Sequence, residues 1–224
     1  MTILKIIISL CLLIGWQQLH GQNMQPLKLD LPKAQFVGTP TDFEVSNLEI
    51  RIGPRPDLYV PEGVTNVASG KYIESSDDNP IMGSVDLIND GNKEAVDGTY
   101  VEFNEGPQHI TIDLEQKHVI YAIVVWHFHQ SARVYHDVVV QVSDDPDFFF
   151  DVNTVFNSDM NNSLGLGVGK DFSYVETHEG RLIDAKGYEG QYVRLYSNGN
   201  TANDFNHYIE VEIYGKPVGS MDDK

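Results

Sequence analysis

This 224-residue chain has one cysteine, Cys11, and two tryptophans, Trp16 and Trp126. A lone thiol closes no intramolecular disulfide, so stability has to come from packing, with or without a bound metal. Basic residues are also scarce: 15 Lys and Arg stand against 33 Asp and Glu, a formal charge of −18. That balance excludes nucleic acid and anionic membranes as partners, because both demand basic patches. It suits divalent cations and neutral or cationic partners. There is no internal repeat, no heptad pattern, no long low-complexity tract and almost no helical periodicity.

What is present begins with a short leader. Lys5 precedes an apolar run from Ile6 to Gly15, broken only by Ser9, and Gln17 to Gly21 supplies a polar stretch ending in a small residue. The pattern predicts a secretory signal over residues 1–21, cleaved after Gly21, and hence a secreted, periplasmic or cell-surface protein. The run is too short to span a bilayer comfortably, so the mature chain is expected to have no transmembrane span. Residues 22–62 carry Pro26, Pro32, Pro40, Pro54, Pro56 and Pro61. These bar a regular helix and predict an extended, Pro-rich tether, lying partly on the domain surface because apolar residues intersperse it.

Residues 63–217 are expected to form one domain, followed by a polar tail over 218–224. Short strands alternate there with turn clusters. His109 to Leu114 puts Ile110, Ile112 and Leu114 on one face, whereas Val119 to Phe128 is apolar on both faces, as in a covered central strand. Asp137 to Ser143 and Gln191 to Ser197 alternate, and Tyr208 to Tyr214 sets Ile209, Val211 and Ile213 against Glu210 and Glu212. The expectation is an all-β fold, an antiparallel β-sandwich with loops at both ends.

Two distant segments stand out for their oxygen ligands. The loop Asp90-Gly91-Asn92-Lys93-Glu94-Ala95-Val96-Asp97-Gly98-Thr99 offers carboxylates, amides, a hydroxyl and carbonyls that its glycines can turn inward, and Glu210 lies just before the chain leaves the domain. Such a hard, partly neutral set suits calcium better than zinc or magnesium. The alternative is an ordinary acidic turn and a solvent-facing strand glutamate.

Four stretches in this order resemble the discoidin, or coagulation-factor C-type, family: Ile88-Asn89-Asp90-Gly91-Asn92; Gln108 to Leu114, ending in Asp-Leu; Asp137 to Asp145, ending in Ser-Asp-Asp; and Tyr192 to Tyr196 leading to Glu210 to Gly215. The resemblance spans roughly residues 64–217. It implies a galactose-binding-like jelly roll that binds sugars without catalysis, similar to bacterial carbohydrate-binding modules. It also implies a structural calcium held by Asp90, Asn92 and Glu210, with Asp97 or Thr99 contributing from this longer loop. The tryptophan the family often has after that loop is absent, leaving Tyr100 or Phe103 as substitutes.

Sugar recognition needs an aromatic face for the C–H surface of the ring and planar polar groups for vicinal hydroxyls. His129, Arg133 and Tyr135 follow Trp126-His127-Phe128, whose aromatics are expected in the core. The amide-rich loop Asn198 to His207 adds Asn203, Phe205, Asn206 and His207. These are the candidate ligand contacts, for a glycan or glycoconjugate, with an envelope protein as the other candidate partner of an adhesive module. A zinc held by His127 and His129 with His136 or Asp137, and a glycan-active hydrolase or lyase using two neighbouring carboxylates, are further readings. Gly165-Leu166-Gly167-Val168-Gly169 is expected to be a flexible loop.

Overall fold

The computed structural model describes residues 23–40 and 42–219, so the leader and the end of the polar tail lie outside it. Among the described residues the regular structure is all strand apart from one short 3-10 turn at Val85–Asn89, with loops and turns between the strands. Two long strands, β6 (Gln108–Trp126) and β9 (Arg181–Ser197), pair with each other along their whole length and organise everything else.

This ribbon does not run straight. Its register slips between Asp113 and His118 on β6, and between Ile120 and Ala122 where β9 supplies the extra residues 185–187. Both slips have the same local chemistry. Asp113 accepts the Glu115 N–H at 2.7 Å, and Asp184 accepts the Lys186 N–H at 2.9 Å. Each aspartate thereby closes a turn two residues on, where Glu115 (φ 66°) and Lys186 (φ 55°) take the left-handed conformation. The ribbon folds over there, so residues 108–113 and 118–126 become strands of opposite layers. Ile110, Ile112 and Leu114 then share one buried core with Ile123, Val125 and Ile183. The sequence expectation of separate strands on either side of residue 115 is therefore met by one strand with a bend.

The first layer adds β4 (Tyr72–Ser75) on β6, and β7 (Val139–Ser143) with β8 (Asn153–Asn157) beyond β9. The second adds β11 (Glu210–Pro217) on β6 and β3 (Thr65–Asn66) on β11. All pairings among these strands are antiparallel, which makes the domain the expected antiparallel β-sandwich. Residues on the far face of 118–126, Val124 and Trp126, are buried too, in a second cluster with Ala95, Tyr100 and Ile209. Leu29 of the N-terminal segment packs onto it. That covering explains why this strand is apolar on both faces.

The N-terminal segment is extended. Its β1 (Met24–Pro26) pairs with β2 (Tyr59–Pro61), and Leu48 bridges to Ser173 on the domain. The glycine loop 165–169 is largely exposed and is bonded to the domain at two points. Asn157 Nδ2 donates to Gly167 O (3.0 Å) and Gly169 N to Asp159 O (2.7 Å).

Folding the ribbon over brings both its free ends to one pole, together with β5 (Val101–Phe103) and β10 (Asn206–Tyr208), which pair as a separate two-stranded ribbon. Gly83 seals this pole from below: it has φ +76°, and a Cβ there would overlap the Tyr100 carbonyl oxygen. Gly83→Ala is expected to lower unfolding stability by about 2–4 kcal/mol, combining the left-handed penalty with overpacking against rigid backbone. Equilibrium urea denaturation measures this, and a loss below half a kcal/mol would contradict the packing described.

Candidate functional site

At the shared pole, β5 presents Glu102 and β10 presents His207 directly opposite. They meet: His207 Nε2 lies 2.9 Å from Glu102 Oε2, while Tyr135 Oη lies 2.9 Å from His207 Nδ1. The consistent proton arrangement is a neutral imidazole that donates to the carboxylate and accepts from the tyrosine. Burial, then Arg133 and His127, push the His207 pKa down to about 3. Tyr135 stacks on His127 at 4.3 Å, and His127 Nδ1 contacts Glu176 Oε2 at 3.1 Å.

Around this relay lies an aromatic rim. Tyr100 and Phe128 pack edge to face at 5.0 Å, and each lies within 6 Å of the His207 ring. The Arg133 guanidinium sits 4.6 Å over Phe128, and Arg133 Nη2 donates to Ser131 Oγ at 2.8 Å. Aromatic faces thus adjoin a planar cation, a carboxylate and an imidazole, the set that polyhydroxylated ligands require.

Most residues expected to touch ligand act beneath this rim. His129, Tyr135, Asn206 and His207 are all at most 3% exposed. His129 Nε2 bonds the Lys93 carbonyl at 3.0 Å, which ties the post-β6 loop to the acidic loop. Asn206 uses its whole amide internally: Oδ1 accepts from Ser197 Oγ and Gly199 N, and Nδ2 donates to Asn104 O and Gly106 O. Burial therefore makes these four positioning residues. Asn203 and Phe205 remain at the surface, while Arg133 at 8% exposed and Tyr100 at 7% show only an edge. Residue patterns alone missed Tyr100 as a rim residue, and Glu102 altogether. The signal for Glu102 would have been its alternation with buried Val101 and Phe103 in a strand leading out of the acidic loop. The two histidines of His127-Phe128-His129 go separate ways, because β6 ends at Trp126 and no regular strand holds them on one face. Among the described residues no group of three or more His, Cys, Asp or Glu is placed to hold a metal.

The acidic loop is a chain of small turns. Asp90 Oδ1 accepts from Asn92 N (2.7 Å), Asn92 Oδ1 from Glu94 N (3.1 Å), and Thr99 Oγ1 donates to the carbonyls of Glu94 and Val96. Asp97 stays exposed. The strand glutamate is not solvent-facing: Glu210 is 0% exposed, and so the alternative of an ordinary surface position fails. Its Oε2 accepts from Gly91 N at 3.0 Å, but its Oε1 is buried with no hydrogen-bond partner. Burial pushes its pKa up to about 8. Beside it, Lys93 Nζ pairs with Glu212 Oε1 at 2.8 Å. The lysine therefore serves one buried carboxylate and leaves the other with an unpartnered oxygen beside the acidic loop that its Oε2 already meets, a donor set that fits a hard cation.

No family model matches the chain, and no curated protein matches it. Solved structures do. The protein is similar to CpGH89 from Clostridium perfringens, in complex with its substrate GlcNAc-alpha-1,4-galactose, at TM-score 0.51 and 16% identity. The match covers 69% of this chain and only 15% of that one. It is also similar to CpGH89CBM32-4, produced by Clostridium perfringens, in complex with the same disaccharide, at TM-score 0.50 and 15% identity. Here the match covers 69% of this chain and 96% of that one. The likeness is one of fold, the galactose-binding-like sandwich that the ordered motifs resemble.

The His207 environment gives a pH dependence with a definite sign. An unfolded histidine takes up a proton near pH 6.5, which the folded site refuses until about pH 3. The resulting stability is complete above pH 6.5 and falls as pH drops toward 3. Between pH 6.5 and 4.5, wild type is expected to lose about 2–3 kcal/mol more than His207→Asn, at about 1.4 kcal/mol per unit. Parallel urea titrations at the two pH values measure the difference, and equal losses would show that the imidazole is not held neutral.

Proposed function

We propose that this protein is a secreted, non-catalytic carbohydrate-binding module whose sugar docks on the Tyr100–Phe128–Arg133–Glu102 rim. The observation that carries the reading is the junction of two aromatic rings with a guanidinium and a carboxylate at the loop pole. The sugar's C–H face lies on the rings, while Arg133 donates to ring hydroxyls and Glu102 accepts from them. Asn203 and Phe205 border the same surface, with His207 and Tyr135 holding Glu102 in place from behind. The fold's likeness to a module bound to GlcNAc-alpha-1,4-galactose supports this reading. Affinity of one site is expected to be weak, because hydroxyls exchange water's hydrogen bonds for protein ones. A multivalent target would raise it.

A glycan array probed in calcium, followed by calorimetry, tests this. Tyr100→Ala and Arg133→Ala should each weaken binding at least tenfold at unchanged far-ultraviolet circular dichroism. A folded, calcium-loaded protein that binds no glycan would favour the second reading, an adhesive module for an envelope protein. One feature supports that alternative: Phe149 and Phe150, 78% and 73% exposed, on the turn after β7. Asp145 fixes that turn by accepting the Phe149 and Phe150 N–H groups.

Calcium belongs to the same proposal as a structural ion. Glu210 and Asp90 would supply its carboxylates, and Asn92, Thr99 and loop carbonyls its neutral oxygens, with Asp97 at the loop's outer edge. When bound, the ion would neutralise the Glu210 oxygen that no donor reaches. A hundredfold excess over Kd stabilises by about 2.7 kcal/mol, which for a domain of this size raises Tm by roughly 5–10 °C. Glu210→Gln should abolish the shift while leaving the metal-free protein at least as stable as wild type. An identical Tm with calcium and with chelator would remove the ion from the proposal.

A further inference from the structure

Two neighbouring cavities lie away from the rim. They lie where the extended N-terminal segment crosses the loop before β9. The larger, of about 290 Å³, is lined by Arg51, Arg55, Asp57, Tyr174, Arg181 and Asp184 among others. The smaller, of about 200 Å³, adjoins it, and Thr39, Arg51 and Thr177 line both. The segment is fastened on two sides of this groove. Asn47 and Glu49 bond the Ser173 backbone, with Ser173 N to Asn47 O at 3.0 Å and Glu49 N to Ser173 O at 2.7 Å. Further on, Arg51 pairs with Glu179, Arg181 with Glu49, and Arg55 Nη1 donates to the carbonyls of Glu179 (2.8 Å) and Gly180 (3.2 Å). Between these fastenings the segment stands off as a roof.

Three guanidiniums converge here in a chain with 15 basic residues in all. Two are neutralised by carboxylates. Arg55 is not: among the described residues no carboxylate lies within ion-pair distance of it. Burial lowers its pKa, Glu179 opposes that, and Arg51 and Arg181 add to the lowering. Its hydrogen bonds go to neutral carbonyls, so no carboxylate is bonded to it directly. The Arg181 guanidinium carbon lies 4.9 Å from the ring centres of both Phe156 and Tyr174. Beside the cation, Tyr174, Leu58 and Leu182 provide apolar wall, and the exposed Asp57 and Asp184 provide acceptors.

We propose that this strap-roofed groove is a second ligand site, for a carboxylate-bearing sugar of about disaccharide size, with the carboxylate on Arg55. One anion gives Arg55 the directly bonded carboxylate it lacks. The hydroxyls donate to Asp57 and Asp184, whose negative charges also turn away a densely sulfated polyanion. The joined cavities match a ligand longer than one ring. The site is separate from the rim, and its existence does not depend on the rim binding anything.

The test titrates the protein with digalacturonate and with a glucuronate-containing disaccharide, using calorimetry and backbone amide NMR. Expected are shifts at residues 51–58 and 177–182, with binding at least tenfold weaker for the methyl-esterified sugar and for Arg55→Met. Arg133→Ala should bind these acids as wild type does. Equal affinity for acid and ester in wild type would overturn the proposal even if Arg55→Met proved poorly folded. So would binding lost in Arg133→Ala, which would place the acids at the rim, or no shift with either disaccharide at millimolar concentration.

Discussion

The structure depends on the two aspartate-closed bends in the β6–β9 ribbon. A straight ribbon of this length would have both free ends at opposite extremes and could bury only one face. By letting Asp113 and Asp184 capture the backbone two residues ahead, the chain converts one ribbon into two facing layers. The layers then need no long crossover to stay in register, since each strand pairs with the same partner in both. The price in backbone strain is confined to Glu115 and Lys186, which take φ values that non-glycine residues rarely adopt. In return, the segments that leave the ribbon (127–136, 198–208 and the approach to β6) emerge at one pole. A surface assembled from distant parts of the chain follows from that geometry alone.

The second constraint is electrostatic. A chain with formal charge −18 nonetheless buries Glu210 and Glu212 side by side on β11. Carboxylates out of water must be paired or neutralised. Lys93 reaches Glu212 and lies 5.4 Å from the Trp126 ring, so its stem covers apolar surface while its head serves the acid. Glu210 gets one backbone N–H and no cation. The acidic loop, the closing strand and the post-β6 loop are consequently one electrostatic unit, with His129 bonded to the Lys93 carbonyl as its third anchor. Because Tyr100 and Glu102 follow that loop directly, and His207 precedes Glu210 by three residues, this unit also sets where the rim stands.

The layers of the fold were legible because period-2 alternation survives in half-buried strands such as 109–114. The two-faced apolarity of 119–126 correctly signalled cover on both sides, although nothing local could say that Leu29 and Ala95 provide it. The site was less legible, for a physical reason. Amide, imidazole and phenol groups suit a glycan, but the same groups also satisfy buried backbone at a loop pole. Asn206, with all its amide valences used internally, shows the second role; Arg133, stacked on Phe128 at the edge, keeps the first open. Sequence distinguishes donors from greasy surface, but not a donor facing outward from one facing in. Glu102 escaped notice because a lone strand glutamate carries no mark until its partner across the ribbon is known to be a buried, neutral histidine.

The N-terminal segment raises the same question in reverse. An extended strap could have packed flat, and its apolar residues would have favoured that. Instead its guanidiniums reach the domain through Glu179, Gly180 and, from the other side, Glu49 to Arg181, and a groove remains beneath. Cross-strap ion pairs at part-exposed positions contribute little stability individually, typically under about 1 kcal/mol. Fixing the strap by such weak ties, and leaving Arg55 on carbonyls alone, is a poor way to add stability and a good way to hold a charged donor in place for something else. Burial leaves Glu210 and Arg55 each without a directly bonded counter-charge, and Glu210 answers with a pKa raised to about 8 while Arg55 turns to neutral carbonyls.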